Sequence, residues 1–109
     1  MPDDNQIFVP PSFIALYTDA RQRLRAPAEE VRERYGLCED LATLLVDQAQ
    51  TLYHVQLPSE EGILREMHRG LQGPGAVVSP AEATWVVSRL AELLGWACPA
   101  LSEVRGADA

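Results

Sequence analysis

The sequence predicts an all-α fold, a small bundle of four to five helices with a long central helix and a C-terminal helical hairpin. Apolar residues recur every three or four positions in several segments, and prolines, glycines and serines separate those segments. Strand signals are nearly absent, because the only β-branched run outside the predicted helices is the short AVVS at 76–79. With 109 residues, 47% of them hydrophobic, the chain is long enough to bury one core.

Three segments follow from this pattern: an extended N-terminal arm over residues 1–11, a single helical domain over 12–96 and a flexible tail over 97–109. The consecutive prolines 10 and 11 fix the backbone of the arm in an extended conformation. The tail after the last predicted helix is rich in small and polar residues, which are typical of a disordered end.

Two helices are predicted before the long one. Ser12 is the expected cap of the first, which Pro27 limits. Pro27 then fits the first turn of the second helix, and Gly36 is its expected C-terminal stop. The apolar face of the first helix consists of Phe13, Leu16, Tyr17 and Leu24.

The segment LCEDLATLLVDQAQTLYHVQ, residues 37–56, predicts the central helix because it contains neither glycine nor proline. A helix of this length spans about 30 Å. Cys38 is expected to point into the core, with both Cys38 and Cys98 as free thiols. The predicted core stripe consists of Leu37, Leu41, Leu44, Leu45, Ala49, Leu52 and Val55.

The C-terminal hairpin consists of helices over 59–72 and 80–94, which the GPG turn at 73–75 separates. Ser59, after the helix break at Pro58, is the predicted cap of the first helix. The second begins with a capping box and ends at a left-handed glycine, with the next side chain folding back over the last turn. Those signals are Ser79, Pro80, Glu82, Gly95 and Trp96.

The charged residues exclude several function classes. All nine basic residues are arginine, so the chain has neither the lysine of a phosphate-binding P-loop nor an amine for Schiff-base chemistry. Net charge is −7, and residues 35–64 carry five acids and no arginine, whereas residues 21–34 carry five arginines and three glutamates. An acidic surface repels phosphate backbones, so we expect no nucleic-acid partner. The uneven charge instead suits self-association or a charged protein partner.

Catalytic, cofactor-binding and metal-binding residues are not predicted. His54, His68, Cys38 and Cys98 fall at no familiar metal-ligand spacing. No GxSxG motif is present, and the helix caps account for Ser12, Ser59 and Ser79. The connector QGPGAVV is too long for a helix-turn-helix, and the helix that follows it offers only Arg89 as a basic group.

Partner binding is the more promising interpretation of two further features. Phe8 and Phe13 flank VPPS in the arm, and Trp85 and Arg89 are residue types that are enriched at interfaces. The alternative is that the arm wraps the chain's own core and covers Trp85. The run RQRLR, which contains Arg21 and Arg25, either grips an anion or is a solvated helix end.

The segments ERYGLCEDLA (33–42), MHRGL (67–71) and SPAEATWVVSRLAELLGW (79–96) resemble a small proteobacterial family of about this length, often described as ATPases with chaperone activity. The resemblance covers nearly the whole chain and implies no catalytic residue. The ATPase description conflicts with the missing lysine and glycine-rich phosphate loop. It therefore implies either association with a chaperone-type ATPase or a misassigned activity, and we favour the latter.

Together these observations predict a non-enzymatic, cytoplasmic protein–protein interaction module or adaptor that forms a homodimer or binds another protein. The cytoplasmic location and the absence of a membrane partner follow from the lack of any apolar run near the ~18 residues of a membrane span. A small-ligand or metal-linked regulator that uses the histidines and arginines is the alternative function.

Overall fold

The computed structural model describes residues 8–55 and 59–101, and within them the all-α prediction is confirmed. Helix accounts for 67% of these residues, and no strand occurs among them. The four helices are α1 (Pro11–Ile14), which continues into a 3-10 turn (Ala15–Tyr17), α2 (Ala28–Val55), α3 (Glu60–Gly70) and α4 (Pro80–Leu94). α2 is the predicted long central helix, and α3 and α4 are the predicted hairpin.

Several sequence predictions fall outside the described residues: the first seven positions of the arm, the helix break at Pro58, and the tail from residue 102 onward. The chain divides into two compact units, Met1–Leu37 and Cys38–Ala109. α2 contributes residues to both units.

An aromatic cluster forms the core of the first unit. Phe13 is fully buried, and its ring centroid lies 5.7 Å from that of Tyr17 and 5.6 Å from that of Tyr35. The predicted cap at Ser12 is wrong, because Ser12 lies inside α1, which begins at Pro11 and has Pro10 as its N-cap residue. The short helix therefore serves to place Phe13 rather than to build a long amphipathic face.

The predicted first helix does not continue to Pro27, and the side chain of Asp19 gives the reason. Its carboxylate accepts hydrogen bonds from the backbone N–H groups of Arg21 and Arg23, at 2.8 and 3.0 Å. Such local side-chain bonds compete with helical ones and favour a turn. Gln22 has a φ of 67°, and Thr18 and Leu24 form an isolated antiparallel bridge across the turn.

Gly36 does not end a helix, contrary to the sequence prediction, since α2 runs through it without interruption. Side chains on both sides of Gly36 share one apolar face at three- and four-residue spacing, so continuing the helix keeps that face in phase. We call this face the inner row; it consists of Val31, Tyr35, Cys38, Ala42, Leu45 and Ala49. The in-phase pattern outweighs the modest helix penalty of one glycine.

The predicted core stripe of α2 is correct for only part of its residues. Ala49 is fully buried, as is Cys38, which confirms the prediction for that thiol. Leu37 and Leu44 are exposed, so their assignment to the core is wrong. The side chain of Val55 lies outside the described residues. Smaller residues, including Ala42, occupy the buried face instead.

The ends of α3 and α4 confirm the sequence predictions. Ser59 Oγ accepts a hydrogen bond from the Gly62 N–H at 3.0 Å. Ser79 Oγ accepts from the Glu82 N–H at 3.1 Å, and the buried Glu82 carboxylate accepts from the Ser79 N–H at 2.9 Å, which completes the capping box. Gly95 stops α4 with a φ of 75°.

α4 is the most enclosed helix of the second unit, with seven of its 15 residues buried. The Trp96 N–H donates to the Ala91 carbonyl at 2.9 Å, which turns the chain back after Gly95. The Trp96 ring then packs against Tyr53 of α2, with ring centroids 5.5 Å apart. This contact joins the end of α4 to the end of α2.

Candidate functional site

The three aromatic residues predicted to bind a partner differ in their exposure to solvent. Phe8 is 78% exposed. Phe13, in contrast, lies in the interior of the first unit, and Trp85 is only 9% exposed in the second. Of the three, only Phe8 presents its side chain on the surface.

Arg89, the fourth predicted partner residue, is held within the chain. Its guanidinium is bidentate to Glu39 of α2, with Nε–Oε1 at 3.0 Å and Nη2–Oε2 at 3.1 Å, and Nη1 donates to Glu92 at 2.9 Å. Hydrogen bonding to Glu39, and then to Glu92, raises the pKa of Arg89 above its ordinary value. This side chain ties α4 to α2 rather than facing an open surface.

The RQRLR run lies in a turn, so its interpretation as a solvated helix end is wrong. The Arg25 guanidinium donates to the Leu16 carbonyl at 2.6 Å and stabilises the turn. Arg21 is exposed, and its backbone N–H is bound by Asp19. The two arginines therefore do not form a preorganised anion-binding site.

Histidine and cysteine side chains do not assemble into a metal site within residues 8–55 and 59–101, where no group of three or more His, Cys, Asp or Glu residues is placed to hold an ion. Cys38 is buried, whereas Cys98 is exposed with its Sγ 3.8 Å from Ser88 Oγ. His54 is exposed at the end of α2, with its ring 5.5 Å from that of Tyr53.

His68 is buried between α3 and α4, where other side chains lie within hydrogen-bond distance of its ring nitrogens. Its Nε2 lies 3.0 Å from Thr84 Oγ1, which itself lies 3.3 Å from the Pro80 carbonyl. Gln72 Nε2 lies 3.3 Å from His68 Nδ1. An Nε2–H tautomer satisfies all three bonds, with the imidazole donating to the threonine and accepting from the glutamine. The network joins the two helices of the hairpin.

Two surface pockets that described residues line carry little reactive chemistry. The larger, of about 380 Å³, has one ionisable side chain, Asp19, whose carboxylate already binds two backbone amides. The smaller, of about 270 Å³, is lined by Gln72, Gly73, Ala76, Val78 and Pro80, none of which ionises.

The outer face of α2 is the most distinctive surface of the second unit. Leu44 is 72% exposed, and Leu41, one turn earlier, is partly exposed. Residues three and four apart are neighbours on a helix, so these two leucines form one apolar strip, which we call the outer row. Leu37, a further turn earlier on the same helix and 38% exposed, continues the spacing.

Acidic side chains border the outer row. Asp40 and Asp47 are both exposed and lie four residues before and three residues after Leu44. Neither has an ion-pair partner among the described residues. In contrast, three acids on α3 and α4 pair with arginines: Glu61 with Arg65, Glu66 with Arg69, and Glu92 with Arg89. The outer row therefore combines exposed leucines with uncompensated negative charge.

Sequence reasoning missed this surface because it assigned the leucines of α2 to the core. The sequence signal for the outer row is that the apolar stripe of α2 is wider than one buried face. α2 carries two rows at three- and four-residue spacing, one through Cys38 and Ala42 and another through Leu41 and Leu44. Two rows exceed the face that one neighbouring helix buries, and the structure places the smaller residues inside.

None of the described helices has the length and apolar character needed to cross a membrane. No protein-family model, curated protein or solved structure matches the chain, so the resemblance to the proteobacterial family stays a prediction.

Proposed function

We propose that the chain is a non-enzymatic protein–protein interaction module whose binding surface is the outer row of α2. The observation that carries the proposal is the exposure of Leu44, which stands clear of the core on a continuous helix. Isolated exposed leucines are common on proteins, but a row at helical spacing is what a docking helix face provides.

A partner that covers the outer row gains binding free energy from the burial of its leucines. Full burial of an exposed leucine contributes about 1.5–3 kcal/mol, so covering Leu44 and Leu41 supplies a few kcal/mol of binding free energy. Two leucines make a small interface, and small interfaces are typical of weak, transient complexes rather than obligate ones. The proposal is therefore a regulated or short-lived association.

The uneven charge also suits self-association, through surfaces other than the outer row. Arg21 and Arg23 are exposed in the first unit, and all five acids of residues 35–64 lie in the second. The proposed cytoplasmic location rests on Cys38 and Cys98, since free thiols are typical of reducing compartments. A small-ligand or metal-linked regulator has less support, because the described histidines and cysteines do not converge.

Two experiments with the same variants test the proposal. Leu44→Gln removes the apolar group from the outer row, and Leu93→Gln changes an equally large, partly exposed leucine on α4. Sedimentation velocity at low and high salt measures self-association, and affinity capture with each variant measures retention of other proteins. We expect capture of another protein that Leu44→Gln weakens and Leu93→Gln leaves intact, and any self-association to be unchanged by either substitution. A strict monomer whose captured proteins are the same for wild type and Leu44→Gln contradicts the proposal.

A further inference from the structure

We propose that the partner of the outer row is a basic amphipathic helix, with leucine-like side chains at three- and four-residue spacing and lysine or arginine on either side of them. This inference rests on the proposed function and names the chemical class of the partner. It follows from the apolar strip, the charges that border it, and the failure of a second copy to match those charges.

The apolar strip has the geometry of helix recognition. Leu41 and Leu44 lie one turn apart on a helix of 28 residues, so they form a strip rather than an isolated side chain. A partner helix places its own apolar residues on such a strip through positions i, i+3 or i+4, and i+7. An extended peptide has no sheet edge to join among the described residues, where no strand occurs.

The bordering charges select a basic partner. Asp40 and Asp47 stand beside Leu44 with no ion-pair partner among the described residues. Residues 35–64 contain no arginine, and the chain contains no lysine. The long aliphatic stem of a lysine or arginine can cover a leucine while its charged end reaches a carboxylate at the edge. A basic helix therefore satisfies the apolar and the charged parts of the surface together.

A second copy of this chain matches the outer row poorly. In a symmetric antiparallel pair of α2 helices centred on Leu44, Asp40 of one copy lies near Asp47 of the other. Like charges side by side disfavour this arrangement, and the net charge of −7 adds repulsion between any two copies. The same charges repel nucleic acids and anionic lipid surfaces.

Synthetic peptides of about 18 residues, long enough for helix formation, test the inference with the full-length chain. The first has a leucine row flanked by lysines, the second has the same row flanked by glutamates, and the third keeps the lysines but has glutamine in place of leucine. Each is labelled with fluorescein, and binding is measured by fluorescence anisotropy at about 50 mM and about 500 mM salt.

The inference predicts that the leucine–lysine peptide binds at least about tenfold more tightly than either of the others at low salt. Leu44→Gln weakens its binding about tenfold, and Asp47→Asn weakens it about threefold and reduces its salt dependence. Leu93→Gln and Glu66→Gln, matched changes of an exposed leucine and an exposed acid on other helices, alter binding less than about twofold.

Three results overturn the inference: equal binding of the basic and acidic leucine peptides, binding that Leu44→Gln does not weaken, or a homodimer that Leu44→Gln dissociates. If proteins captured by the wild-type chain still depend on Leu44 while the basic peptide is not preferred, only the partner class fails. If neither capture nor peptide binding depends on Leu44, the proposed function fails with it.

Discussion

Replacement of Gly36 by alanine is the sharpest test of the continuous α2 helix. An alanine Cβ built at this position has no heavy atom within 4 Å apart from the adjacent backbone of its own helix, so the change adds neither a clash nor a new contact. The effect is therefore that of glycine against alanine in a helix interior, about 0.8–1 kcal/mol in favour of alanine. We expect the free energy of unfolding to rise by about this amount and Tm to rise by roughly 4 °C.

Urea denaturation followed by far-UV circular dichroism measures this change, provided that the slope of unfolding stays constant between variants. Gly95→Ala is the matched control. Its φ of 75° lies in the left-handed region, so alanine there should destabilise the chain by about 1 kcal/mol. If Gly36→Ala also destabilises the chain, then Gly36 is a left-handed stop, and the reasoning that joins the two halves of α2 is refuted.

Four further substitutions follow from contacts described above, and urea denaturation measures all of them. Ser79→Ala removes half of the capping box and should lower the free energy of unfolding by about 1 kcal/mol; an unchanged midpoint contradicts the role of the cap. Glu39→Gln should cost about 1 kcal/mol at low salt and less at high salt, because its ion pair with Arg89 is partly exposed; no loss at any salt means that the pair does not stabilise the fold. Leu90→Ala, in the core, should cost about 2–5 kcal/mol. Leu44→Gln should change stability by less than about 0.5 kcal/mol, and a loss comparable to that of Leu90→Ala places Leu44 in the core.

The hairpin of α3 and α4 could be predicted from the sequence because its signals are local. The Ser79–Glu82 capping box and the stop at Gly95 involve residues that are near one another in the chain, so their chemistry decides the helix ends without reference to the rest of the fold. The same holds for Ser59, whose side chain caps a helix that begins at the next residue.

In the first unit and at the candidate site, alternative local structures compete for the same residues. The spacing of the residues does not decide between these alternatives. Asp19 can lie within a helix or bind the amides after it, and here the second option ends the predicted helix. The leucines of α2 outnumber the positions that its neighbours bury. Packing decides which row faces inward, so the spacing predicts Leu44 in the core although this leucine lies on the surface.

Because one thiol is exposed and the other is buried, their rates of chemical modification report how often the folded chain opens. Cys98 is exposed and should react with a thiol reagent at once, whereas Cys38 is fully enclosed and can react only when the helices around it separate. When closing is faster than modification, the rate at Cys38 relative to that of an unfolded thiol gives the equilibrium population of the open form. One mass-spectrometric time course then measures how often the interior of this protein is exposed, with no label introduced.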